Sequence, residues 1–83
     1  MRRYTYTVAE PVIQLLSSVS RRDRELLIKA FSSLADDPFQ PSDGFIKTTG
    51  ERDVMVKRFR HWLIYFWVNH GDCEVRVVDV EAL

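Results

Sequence analysis

The feature that most constrains this chain is Trp62-Leu-Ile-Tyr-Phe-Trp-Val68, an unbroken apolar and aromatic run. Arg60-His61 bounds it on one side and Asn69-His-Gly-Asp72 on the other. The run is too short for a buried helix, and turn residues fix both its ends, so it reads as a strand. A strand apolar on both faces belongs at the centre of a sheet. Its neighbours carry more charge: Asp53-Val-Met-Val-Lys-Arg-Phe59 before it and Cys73-Glu-Val-Arg-Val-Val-Asp-Val80 after it. The short links between the three predict an antiparallel meander.

The upstream half supplies what covers that sheet. Residues 2–8, Arg-Arg-Tyr-Thr-Tyr-Thr-Val, alternate and are rich in strand formers, with Tyr4, Tyr6 and Val8 on one face. Ala9-Glu10-Pro11 opens a helix, since proline is tolerated in a first turn. Val12, Leu15, Leu16 and Val19 give it one apolar stripe. Ser20-Arg-Arg-Asp23 resembles a capping box for a second helix. The buried face of that helix is Leu27, Ala30, Phe31 and Leu34, with Leu26 and Ile28 flanking, and Glu25 and Lys29 stand in the favourable i, i+4 order. Asp36-Asp37-Pro38 ends it. After a Pro/Gly loop, Phe45-Ile-Lys-Thr48 is a short strand and residues 49–52 are a turn.

The fold class is therefore α+β: an N-terminal strand at a sheet edge, an antiparallel helical hairpin, then a three- to four-stranded antiparallel meander. The helices lie on one face of the sheet, and residues 1–83 form a single domain. No element remains to cover the other face, which is where a partner or substrate is expected.

Composition excludes several classes. An apolar content of 46% rules out a disordered chain. The lone Cys73 cannot form an internal disulfide. Neither a leader nor a run long enough to span a bilayer is visible, so the expected location is cytoplasmic with no membrane contact. Net charge is zero but uneven. Residues 44–71 carry five basic groups (Lys47, Arg52, Lys57, Arg58, Arg60) against Glu51 and Asp53, a balance of +3. Residues 72–83 carry Arg76 against Asp72, Glu74, Asp79 and Glu81, a balance of −3. A polyanion would meet a favourable field only at the first of these segments.

Candidate chemistry collects in the basic turn Lys57-Arg58-Phe59-Arg60-His61. Cleavage of RNA through its 2′-OH needs a proton acceptor, a proton donor and cations beside the phosphate. Lys57, Arg60, His61 and Arg76 are the candidate catalytic set, with His61 as the group of near-neutral pKa. Lys47, Arg52, Arg58, Trp62 and Phe66 are the candidate contacts to RNA or a partner, and Phe59 and Trp62 could stack on a base. The competing reading is a solvated hairpin tip. Arg76 either reaches the open face or pairs across the sheet near Lys57 and Asp53. His70 has no spaced second ligand, so a turn histidine is expected rather than a metal site, and no cofactor motif occurs.

The order of elements, together with Leu34-Ala-Asp-Asp-Pro38, Val56-Lys57, Leu63-Ile-Tyr65 and the valine-rich closing strand, resembles the RelE/ParE superfamily of toxins from bacterial toxin–antitoxin pairs. The resemblance spans nearly the whole chain. It implies a small toxin with a cognate antitoxin as partner. RelE-like members cut messenger RNA on the ribosome, and ParE-like members inhibit DNA gyrase. The resemblance also shows what differs here. Asp53 and Met55 stand where the nucleases carry lysines, Lys57 falls at a commonly basic position, and Trp62 replaces an arginine. Catalytic members are expected to supply an arginine and a tyrosine or histidine beyond the position of Glu81-Ala-Leu83.

Parity along residues 53–59 faces Val54 and Val56 toward the helices, and the register that the family implies puts Leu63, Tyr65 and Trp67 there as well. Asp53, Met55, Lys57, Trp62, Ile64, Phe66 and Val68 then form the open face. That would be a wide apolar floor made to be covered by protein. Three readings follow. The first is a toxin acting on translation or DNA topology through its open face and covered by an antitoxin. The second is a ribosome-dependent mRNA endonuclease built on the Lys57–His61 turn. The third is a degenerate fold kept as a binding module or homodimer.

Overall fold

A computed structural model of the chain describes residues 3–47 and 53–83. Its elements are β1 (Thr5–Val8), α1 (Glu10–Ser18), α2 (Arg21–Asp36), β2 (Gly44–Lys47), β3 (Asp53–Phe59), β4 (Trp62–Asn69) and β5 (Glu74–Ala82). The sheet runs in the order β1-β5-β4-β3-β2, so the aromatic strand is central, as its composition requires. β2 to β5 are antiparallel neighbours. β1 reaches the far edge through the helical excursion and pairs with β5 in parallel.

Local chemistry explains the helices. Pro11 lies in the first turn of α1, where its missing N–H is no loss. The Ser20 hydroxyl accepts the Asp23 N–H at 3.1 Å and caps α2. Arg24 Nε donates to the Leu16 carbonyl at 2.8 Å, which ties the start of α2 to the end of α1. One surface pairing differs from expectation. Glu25 pairs with Arg21 at 3.2 Å rather than with Lys29, and both partners are well exposed, so the pair adds little stability.

The core is one cluster. Val12 of α1 and Leu27, Ala30, Phe31, Leu34 and Ala35 of α2 meet Trp62, Ile64 and Phe66 of β4 and Val75, Val77 and Val80 of β5. Tyr6 and Val8 of β1 pack against it, with the Tyr6 and Phe31 rings 5.8 Å apart.

This reverses the expected facing of β4. Trp62, Ile64 and Phe66 are 5%, 0% and 2% exposed and hold the helices, while Leu63, Tyr65 and Trp67 are half-buried on the other face. β3 reverses with it. Met55 lies opposite Phe66 and Lys57 opposite Ile64 on the helix side, whereas Val56 lies opposite Tyr65 and Arg58 opposite Leu63 on the open side.

The reason lies in β5. Val80 is paired with Ile64 and Val77 with Phe66, so burying the valines buries the even-numbered row of β4. A register shift between Tyr65 and Phe66 leaves Val78 without an opposite number. That bulge lets Val75, Val77 and Val80 all face the core although their numbering alternates. Arg76, Asp79 and Glu81 are thereby turned to solvent, where burial would have cost several kcal/mol, about the penalty for an unpaired charge.

The two faces predict different costs of truncation. Ile64→Ala should destabilise the protein by about 2–5 kcal/mol in urea unfolding, and Leu63→Ala by about 1 kcal/mol or less. Equal costs would contradict the facing.

Candidate functional site

The β3–β4 link is two residues long, and Arg60 within it adopts φ 56°, the left-handed region that disfavours a side chain. Arg58 Nε donates to the Arg60 carbonyl at 3.3 Å, and the Arg60 guanidinium lies 5.7 Å from the Phe59 ring centre. His61 is exposed, with its ring 4.8 Å from that of Trp62. The tip therefore presents Arg60 and His61 to solvent as expected, but it does not assemble the rest of the candidate catalytic set. Lys57 is on the helix side, where its Nζ donates to the Pro41 carbonyl at 3.2 Å. Arg76 lies opposite Trp67 and beside Thr7. From Trp62 to Trp67 is five residues of β4, about 17 Å of strand. Arg76 therefore stands well along the sheet from the Arg60-His61 tip.

Several expected contacts are corrected. Trp62 and Phe66 are core side chains and cannot stack on a base or meet a partner. Their burial follows from the pairing of β5, as described above. Phe59 packs partly against the same core. β5 has no contact with β3 in the strand order, so Arg76 has no pairing with Lys57 or Asp53. Of the remaining candidates, Arg58 is exposed at the tip. The side chains of Lys47 and Asp53 and the whole of Arg52 lie outside the described residues.

The open face has a character of its own. Leu63, Tyr65 and Trp67 form its middle row, with Val54 and Val56 on one side and the outward residues of β5 on the other. The Tyr65 hydroxyl donates to Glu81 Oε2 at 3.2 Å, and Asp79 lies directly across from Tyr65. The Thr7 hydroxyl donates to Glu74 Oε1 at 2.7 Å. Among the described residues, Arg58 and Arg76 thus share this face with Glu74, Asp79 and Glu81, two cations against three carboxylates. Such a surface is not built to attract a polyanion. The Tyr65 phenol is held above the ordinary tyrosine value, first by partial burial, then by its hydrogen bond to Glu81 and the nearby Glu81 and Asp79 charges.

At the opposite end of the sheet, sequence reading missed a ring cluster. Tyr4 Oη lies 2.7 Å from His70 Nδ1, and the Phe39 ring stacks on His70 at 5.0 Å. Phe39 is 74% exposed. This cluster ties the segment leading into β1, the loop after α2 and the β4–β5 turn together, which gives His70 a structural role. Cys73, expected within the last strand, instead ends that turn at φ 52°. Among the described residues no three His, Cys, Asp or Glu side chains converge on a metal position, and no helix is long and apolar enough to cross a membrane.

No family model and no curated protein matches the sequence. Solved structures do match in shape. The toxin–antitoxin complex RelBE2 from Mycobacterium tuberculosis superposes with a TM-score of 0.81 at 11% identity, over 99% of this chain and 100% of that one. This chain has the RelE fold. The archaeal RelE–RelB complex from Pyrococcus horikoshii gives 0.76 at 15% identity, over 98% and 96% of the two chains. The intact RelBE complex of E. coli gives 0.73 at 18%, over 96% of each. Within this RelE fold, Leu34-Ala-Asp-Asp-Pro38 closes α2 and Leu63-Ile-Tyr65 lies in the central strand.

Two measurements check the site. Arg60→Gly removes the tip cation and suits the left-handed backbone, so stability should stay equal or rise by up to about 1 kcal/mol. Loss of stability would show that the guanidinium itself holds the tip. The alkaline absorbance titration of Tyr65, taken as wild type minus Tyr65→Phe, should lie above that of free tyrosine, and Glu81→Gln should move it down. Because the folded value is the higher one, the neutral phenol's share of stability is complete below the unfolded pKa and is lost as pH rises through the folded one.

Proposed function

We propose that the chain is the toxin component of a type II toxin–antitoxin pair, cytoplasmic and held inactive by a cognate antitoxin. It acts on translation or on DNA topology by macromolecular contact through its open sheet face. The observation that carries this reading is the RelE fold over essentially the whole chain, shared with solved complexes of toxins and their antitoxins. The half-buried Leu63-Tyr65-Trp67 row, on the face away from the helices, supports contact with a large partner.

A ribosome-dependent endonuclease is the second reading, favoured by the exposed Arg60 and His61 at the tip. The separation of Arg76 and the helix-side position of Lys57 count against it. General acid–base chemistry needs its groups within hydrogen-bond reach of one reacting centre.

Induced expression should arrest bacterial growth, and co-expression of the neighbouring reading frame should restore it. Loss of labelled-methionine incorporation would assign the target to translation, and relaxation of plasmid DNA would assign it to gyrase. Normal growth at confirmed expression of folded protein contradicts the toxin reading, and a stable dimer alongside it would favour a binding module.

A further inference from the structure

Across the open face, charge is laid out in a way that matches a second copy of the same face. At the tip end, one line across the strands reads Arg58 on β3, Leu63 on β4 and Glu81 on β5. The next line reads Val56, Tyr65 and Asp79. On the third, Trp67 lies beside Arg76. The middle row is therefore apolar and aromatic, with a cation at one flank of its tip end and a carboxylate at the other. Arg58 and Glu81 are both exposed, and two strand spacings, about 10 Å, lie between their backbones. Among the described residues the one ion pair is Arg21 with Glu25, so neither of these charges is neutralised within its own chain.

A twofold axis lying in the interface parallel to β4 keeps each level along the strand and exchanges the two flanks. It sets the middle row on itself: Leu63 on Leu63, Tyr65 on Tyr65 and Trp67 on Trp67. It also sets β3 over β5, so Arg58 of each copy meets Glu81 of the other. The strands of the two sheets stay aligned, as face-to-face sheets prefer. A twofold axis across β4 does worse. It would lay β5 on β5, whose outward residues are Glu74, Arg76, Asp79 and Glu81, three carboxylates to one cation. Like charges juxtaposed in an interface are strongly disfavoured.

We propose that a second copy of the chain covers the open face, in a symmetric pair joined by the two Leu63-Tyr65-Trp67 rows and by Arg58–Glu81 contacts across them. Its strength is limited by size. β4 is eight residues long and the sheet five strands wide, so the face measures on the order of 600 Å². A standard interface covers ~800 Å² on each side, and Asp79 gains no opposite charge in this arrangement. The pair is therefore weak and exchangeable. The proposal rests on the reading that activity lies on the open face: pairing withholds that face until dilution or another macromolecule separates the copies.

Sedimentation of the purified full chain over a wide concentration range tests it. The mass should rise from one chain to two. Arg58→Glu and Glu81→Arg should each weaken the pair by about tenfold or more, with circular dichroism spectra like that of the wild type. An equal mixture of the two variants should restore the pair, because each new charge then meets its opposite. Lys29→Glu, on the helix side, should leave it unchanged. A single chain at every concentration, a pair indifferent to both substitutions, or a mixture no tighter than either variant alone would overturn the proposal. So would restoration of Glu81→Arg by Arg76→Glu and not by Arg58→Glu. A concentration-dependent pair formed by a chain that does not arrest growth would overturn the toxin reading and leave the pairing intact. Growth arrest by a chain that stays single at every concentration would do the reverse.

Discussion

The pairing of the β5 valines with the even-numbered residues of β4 decides how the rest of the molecule is arranged. Val80 opposite Ile64 and Val77 opposite Phe66 put four large apolar side chains on one side of the sheet. Each is worth about 1.5–3 kcal/mol when fully buried, which in a domain this small is a large part of the total. α2 then has one place to lay Leu27, Phe31 and Leu34. The bulge at Val78 is what makes this possible, because strict alternation would have sent Val80 to solvent. With the helices committed to one side, Leu63, Tyr65 and Trp67 are left half-buried on the other.

The same choice separates the charges. β5 sends Glu74, Arg76, Asp79 and Glu81 to the open face, and Glu74 and Glu81 are engaged there by Thr7 and Tyr65. Lys57 of β3 and Arg60 of the hairpin tip instead line the cleft between α2 and β3, while Arg58 stays on the open side. The molecule thus has an open face of aromatic and mixed-charge character and a cationic cleft behind it. Phosphate chemistry at one point would require these groups to converge, and about 17 Å of strand keeps Arg76 from the tip. Binding through extended surfaces suits this distribution better than catalysis at a single centre.

Much of the architecture was legible in the sequence. The helical stripes Val12-Leu15-Leu16-Val19 and Leu27-Ala30-Phe31-Leu34, the Ser20 cap and the turn residues around β4 each act locally, so spacing alone reveals them. The facing of β4 was not legible, because a strand apolar on both faces has no parity signal of its own. The information sits in β5, where Arg76, Asp79 and Glu81 must face water and Val77-Val78 marks the slip in register. Of the candidate site, Arg60 and His61 are at the exposed tip, Lys57 is on the helix side, and Trp62 and Phe66 are in the core. The Tyr4–His70 bond joins positions 66 apart in sequence, and the cleft needs α2 and β3 side by side. No local pattern encodes either.

The claim that activity resides on the open face is tested most directly by comparing two double variants that are both folded. Trp67→Ala with Arg76→Ala strips the face, and Arg60→Ala with His61→Ala strips the tip. Growth arrest should be lost in the first and retained in the second. Retention in the first with loss in the second would contradict an open-face mechanism and return the activity to the β3–β4 turn.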